Sequence, residues 1–517
     1  MSNARPAAPA AVLLAAALAA CTGRSPAPPS AGRLVAPGPA QGLRSSPDGT
    51  RLAWLARCAR PPASQVPQGV VACDLAVAPA AGGEVSRVAE GVTSLEAGFA
   101  WGPDGSIAAL ADFDHAAGAG TLVLARPGGA PARLAPDVTF YAFGPRGELG
   151  YVSRGELHLA PPGGFPAPVA GGAPVATFEF DPALAGRLLA RRPTAQGGEL
   201  VLAGAGPARA ETRAPAGDYA WSPDGRFAAA MVRGEGGAWD LALWRAGQGR
   251  AATIGRNVQA FAFARDASAI AFLAGMSPGK PGDLLAAPLA GVEDPARAVA
   301  AIVARGVGEM RWAAGAPRLS WLQDFDPRVR AGTLAVGGPG VRPAVLGKNV
   351  SAWDVSPDGE RVAWLEHVTA GGYSVDLKVA PAGGGAPAEV ARGVFGFDFS
   401  PDGRWLYYRT SCVRNAEACD LYRVPAAGAA PGGAPERVAD GVKSFEFDRS
   451  QPGRLLLGYA RKDLPALDLS VWREGKLAAV DQVVLPGSAL FLPPDGRRVA
   501  YVGVDPKRAG VYVAEVP

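Results

Sequence analysis

Histidine is scarce in this chain: His115, His158 and His367 are the only three among 517 residues. No two of them stand at a metal-ligand spacing. Zinc catalysis normally takes three protein ligands, so a histidine-built zinc enzyme is not expected. An excess of charge of one sign is also missing. Lysine and arginine number 51 against 47 acidic residues, a formal net charge of +4. With no basic stripe and no block of like charge, nucleic acid is not expected as a partner. No helical period sustains itself after the first 20 residues, which excludes a helical bundle. Cysteine is rare too, at five residues.

Glycine and proline are abundant instead, at 69 and 49 residues. In a chain with 48% hydrophobic and only 19% charged residues this is not the composition of disorder. The two residue types punctuate short apolar runs, as many tight hairpins require. The clearest unit runs from Val355 to Leu365, where Ser356-Pro357-Asp358-Gly359 precedes Arg361-Val362-Ala363-Trp364-Leu365. Proline presets φ and glycine accepts a positive one, so Pro-Asp-Gly reads as a tight turn. The run behind it is apolar on both faces, as a strand buried between two sheets should be. The turn recurs at Ser46–Gly49, Gly102–Gly105, Ser222–Gly225, Ser400–Gly403 and Pro493–Gly496, and in decayed form at Gly144–Gly147 and Ala264–Ala267.

Eleven copies of one unit can be counted, mostly 40–50 residues apart. Each has a short strand, a Gly or Asn turn, an aromatic-rich strand, the Pro-Asp-Gly turn, a buried strand, a variable loop, and a strand often opening Asp-Leu. The aromatic-rich strands include Tyr219-Ala220-Trp221, Trp353-Asp354-Val355, Phe397-Asp398-Phe399 and Phe445-Glu446-Phe447. Four strands per 40–50 residues is the signature of propeller blades. On these motifs residues 32–517 resemble the WD40-like β-propeller repeat of TolB-like proteins and of the propeller domains of some peptidases. The resemblance implies an all-β propeller of four-stranded blades. Eleven blades exceed the number typical of one ring. Internal similarity at an offset of five repeats suggests two rings, residues 32–295 and 296–517, joined near 291–301; one large ring is the alternative. The strand-like Arg33-Leu34-Val35-Ala36 is expected to complete a blade opened elsewhere and so remove an exposed sheet edge.

Arg5 precedes an apolar run from Ala10 to Ala20, too short to span a bilayer. It ends Leu18-Ala19-Ala20-Cys21, which resembles the lipobox of bacterial lipoproteins. The resemblance implies a signal peptide over 1–20 and lipidation of Cys21. Residues 21–31 then form a Pro- and Ser-rich tether, with Thr22 leaning towards the outer membrane. The other four cysteines fall as local pairs, Cys58 with Cys73 and Cys412 with Cys419, each between a post-turn strand and an Asp-Leu strand. In an exported chain this reads as two hairpin disulfides, each adding about 2–3 kcal/mol by loop entropy. Metal ligation, the alternative, lacks clustered partners.

Three patterns bear on chemistry. Gly275-Met276-Ser277-Pro278-Gly279 matches a nucleophile elbow, but Pro278 has no N–H for an oxyanion hole and no helix pattern follows. Asp112-Phe113-Asp114 and Asp324-Phe325-Asp326 place carboxylates at i and i+2, on one side of an extended chain. They are weak calcium candidates, since two carboxylates are too few for six to eight oxygen ligands. No catalytic residue and no cofactor is assigned. The expected function is a membrane-anchored, non-enzymatic scaffold of the cell envelope. It would bind proteins or envelope components through the variable loops and the connections between blades. A small-ligand-binding or enzymatic propeller with an axial pocket is the alternative. It predicts carboxylates or histidines converging at the innermost strands.

Overall fold

The computed structural model describes residues 32–59, 71–94, 98–169, 174–184, 186–194, 197–203, 209–210, 216–246, 248, 251–277, 279–367, 375–413, 418–427, 434–462 and 464–516. Cys21, the tether and Pro278 lie outside them. So do parts of the loops after Ala59, His367 and Val413. Among the described residues the fold is all-β, with short 3-10 turns such as Glu235–Gly237 and Pro295–Arg297. Among those residues no helix is long and apolar enough to cross a membrane.

Each sequence repeat maps onto four antiparallel strands, A to D. In repeat 5 these are Ala216–Trp221, Phe227–Arg233, Trp239–Arg245 and Ala252–Gly255. Repeats 1, 4, 5 and 6 form separate four-stranded sheets. Elsewhere the D strand of one repeat runs unbroken into the A strand of the next, as in Ala132–Phe143, Val341–Val355 and Glu436–Phe447, and fuses their sheets. The Gly or Asn expected as a turn is a kink in that run. Asp137, Asn349 and Gly441 occupy the left-handed region inside these runs, and Asn257 and Val483 do so at D-to-A joints where the strand breaks. Only small or Asx residues adopt it cheaply, which is why the sequence marks the spot.

The B and C strands carry the apolar core. Trp54, Trp321 and Trp364 on B strands and Trp244 and Trp472 on C strands are buried. Among the described residues, all but one of the hydrophobic clusters are shared between two repeats that follow one another in sequence. One joins Phe227 and Leu243 of repeat 5 to Ile270 and Phe272 of repeat 6. The next joins Leu273 and Leu284 of repeat 6 to Trp321 and Ala335 of repeat 7. Segment 291–301, expected as a junction, connects two strands of one sheet, Gly282–Pro288 and Ala301–Val307, through the 3-10 turn Pro295–Arg297. The expected boundary at 295/296 thus falls inside repeat 6, whose Ala298 is buried in the same cluster as Phe272.

The opening strand Arg33–Pro37 pairs antiparallel with Gly510–Glu515, Arg33 opposite Val513 and Pro37 opposite Gly510. It supplies the D strand that repeat 11 lacks. A further cluster packs Val35, Val502 and Val511 against Leu52, Trp54 and Ala78 of repeat 1.

Candidate functional site

Strand direction gives the molecule two ends. A–B and C–D turns lie at one; B–C loops and D–A connections lie at the other. At the turn end the Pro-Asp-Gly signature builds a capped turn. Ser222 Oγ donates to Asp224 Oδ1 at 2.7 Å and accepts from the Phe227 N–H at 2.9 Å. Ser400 does the same with Asp402 at 2.6 Å and Trp405 at 3.0 Å. In repeat 1 the Ser46 hydroxyl and the Thr50 N–H hold the Asp48 carboxyl down at about 2. Gly49, at φ +67°, packs so tightly on the Pro493 carbonyl that a Cβ would collide with that backbone oxygen.

Arginines at or near the head of the B strand then brace the next repeat. Arg51 donates to the Gly105 carbonyl, Arg187 to Gly225 at 2.7 Å, and Arg454 to Asp495 at 3.0 Å. Arg498 of repeat 11 reaches Gly49 of repeat 1 at 3.4 Å. Two of these arginines are paired with buried aspartates, Arg187 with Asp181 and Arg454 with Asp448.

The loop end is held differently. The two disulfides form as paired in sequence, Cys58–Cys73 and Cys412–Cys419, each closing a B–C loop at its base. The aspartates that open the C strands accept from cations around them: Asp74 from Arg57, Asp468 from Arg461 at 2.8 Å, Asp420 from Arg437 at 3.4 Å. Asp112 and Asp324 are not on flat strand. Each has φ 49° and sits in a bulge where the register to the C strand shifts. Asp112 pairs with Arg133 at 2.6 Å, and Asp114 and Asp326 accept turn N–H groups from Ala116 and Arg328. Phe113 and Phe325 pack against core clusters. Among the described residues no three His, Cys, Asp or Glu side chains gather as metal ligands. Ser277 lies in a B–C loop, bridged to Lys280.

The third region is the row of A strands. Neighbouring A strands touch directly. Trp221 donates to the Glu179 carbonyl at 3.2 Å, Trp312 to Ala262 at 3.0 Å, and Arg311 to Trp353 at 3.0 Å. The residue between the two core-facing positions of each A strand reaches solvent. In repeats 8, 9 and 10 it is Asp354, Asp398 and Glu446. Desolvation by the crowded strands raises all three carboxyls above their ordinary values. For Asp398 the charge of Asp354 adds to the rise and Arg409 opposes it. Glu179 in repeat 4 is raised the same way. These carboxylates were not singled out from sequence, although the signal was there: the central residue of triplets such as Phe397-Asp398-Phe399.

No known protein family matches this chain, and no curated protein matches it. Similar solved structures include a eukaryotic initiation factor (TM-score 0.40, 11% identity, covering 70% of this chain and 94% of that one). The tricorn protease is similar over 91% of this chain and 52% of its own (TM-score 0.29, 12% identity). An oligogalacturonate lyase in complex with manganese is similar over 64% of this chain and 97% of its own (TM-score 0.31, 14% identity).

Proposed function

We propose that the chain is a non-enzymatic binding scaffold of the cell envelope, eleven blades closed in a single ring and tethered to a membrane through Cys21. Partners dock on its loop end. One ring is favoured over two because the hydrophobic clusters among the described residues join sequence neighbours, repeats 6 and 7 included, and the remaining one joins repeat 11 to repeat 1. The arginine brace follows the same path across the chain ends, Arg498 to Gly49. Electron-microscopy class averages viewed down the axis should count eleven blades around one opening. Two smaller rings would end this reading.

The observation that carries the binding role is the contrast between the ends. The turn end is uniform and locked by repeated caps. The loop end varies from repeat to repeat and is clipped by disulfides where its loops are long. A rigid frame with one variable, stiffened face is how binding surfaces are built. Affinity capture from envelope extract should retain a partner on the intact chain and lose it when the 410–419 loop is replaced by a two-residue turn. Equal recovery on both chains would refute loop-end binding.

The acidic arc supports a second reading, a cationic small ligand held at the axis by Asp354, Asp398 and Glu446. Calorimetric titration with calcium and with spermine distinguishes the two. Heat from either that disappears in the D354N/D398N/E446Q variant favours the axial site, and no heat from both removes it.

A further inference from the structure

We infer that the turn end of the molecule lies on the bilayer, seating exposed apolar side chains and the arginines beside them at the headgroups, with the loop end facing away. The inference rests on the reading of Cys21 as a lipid anchor. It adds which surface meets the lipid.

The first argument is where the chain leaves the fold. Gly32 precedes Arg33–Pro37, and its N–H donates to the Tyr501 hydroxyl at 2.9 Å. Arg33 stands opposite Val513, and its guanidinium donates at 2.9 Å to the carbonyl of Ala80 in the C–D turn of repeat 1. Val516, just beyond Val513, donates to Arg497 of a Pro-Asp-Gly turn at 2.8 Å. The chain therefore enters the described fold at the turn end. A random coil of eleven residues, the number from Cys21 to the first described residue, has a root-mean-square reach of roughly 18 Å. A seven-residue strand is itself about 23 Å long. Turning the loop end to the membrane would require the tether to climb the full height of the blade, close to its extended limit of roughly 35–40 Å.

The second argument is what that end exposes. Phe165, in the C–D turn of repeat 3, is 88% exposed, and Leu184, in the A–B turn of repeat 4, is 50% exposed. Arg126 donates to the Gly164 carbonyl at 2.7 Å, next to Phe165. Arg146 donates to the Ala183 carbonyl at 3.1 Å, next to Leu184. Both bonds go to neutral carbonyls, so each guanidinium sits directly beside an exposed apolar side chain. An apolar side chain with a cation beside it is the chemistry of an anionic phospholipid interface, where the apolar group enters the acyl boundary and the cation meets phosphate.

The test uses the lipidated full-length protein on vesicles of phosphatidylglycerol and phosphatidylethanolamine. An environment-sensitive fluorophore is placed in turn at Phe165→Cys, Leu184→Cys, Val329→Cys and Leu464→Cys; the last two positions are exposed at the loop end. Flotation of the protein, lost in Cys21→Ser, establishes the anchor. The expected result is a blue shift and several-fold stronger quenching by lipid-borne quenchers at 165 and 184, with no change at 329 and 464. Flotation with the shift at 329 and 464, or at none of the four, overturns the orientation while the anchor stands. Flotation unaffected by Cys21→Ser, or no flotation, overturns the anchor and the orientation with it.

Discussion

Asp48 and Asp398 are both aspartates on the same repeated unit, and their surroundings move them in opposite directions. Around Asp48 the Ser46 hydroxyl and the Thr50 N–H favour the charged form, so its folded pKa falls to about 2. A depressed carboxyl stabilises the fold above the unfolded value and loses that contribution as pH drops through the folded one. Ser46→Ala should therefore raise the midpoint of acid unfolding and cost more stability at pH 7 than at pH 2, where only the loss of the Arg51 N–H bond remains. An unmoved midpoint would show that the cap does not matter. Around Asp398, desolvation and Asp354 favour the neutral form. A raised carboxyl favours folding only at low pH and opposes it as pH rises through the folded value. Asp398→Asn should therefore raise the Tm at pH 7 and have little effect below pH 4. A fall at pH 7 would mean that the attraction to Arg409 outweighs the desolvation. A residue that costs stability on a solvent-reaching wall is a sign of selection for something other than folding.

At the scale of the strand, the joint between D and A strands is where the sequence is most demanding. The joint needs a left-handed residue, and most repeats supply Gly, Asn or Asp. Val483 is the exception, with a β-branched side chain at φ 57°. The left-handed conformation costs an L-residue about 1–2 kcal/mol, and glycine avoids it at some entropic cost. Val483→Gly should raise stability by about 1 kcal/mol, visible as a higher Tm. A lower Tm would mean that the valine packing outweighs the strain. Turn, buried strand and cysteine pairing were legible here because each depends on a few adjacent residues. The bulge at Asp112 and Asp324 was not. Strict alternation would put both carboxylates on one side of the chain, and it fails where the register to the C strand shifts after Ala111 and Gln323.

For the whole molecule the opening strand is decisive. It covers the edge that Gly510–Glu515 would otherwise present, and its Val35 and Ala36 are buried beside repeat 1. Deleting residues 32–37 should lower the Tm and produce oligomers through the bare edge, read by calorimetry and size-exclusion chromatography. A monomer of unchanged Tm would show that the strand is dispensable. The junction expected near 291–301 was read from an atypical stretch of sequence, and that stretch connects the strands Gly282–Pro288 and Ala301–Val307 of one sheet.

The sequence by itself determined the module. Alternation, turn chemistry and paired cysteines are local, and they specify four strands and two clips without reference to the rest of the chain. Which modules touch, and which charges meet as a result, was decided only in the tertiary structure. Asp354 and Asp398 are 44 residues apart, and the charge of Asp354 raises the Asp398 carboxyl only because their strands are packed side by side. The repeats bury nearly interchangeable apolar faces, so no single residue records which repeat meets which. The pairing of the opening strand Arg33–Pro37 with Gly510–Glu515, Arg33 lying opposite Val513 480 residues away, is likewise visible only in the tertiary structure.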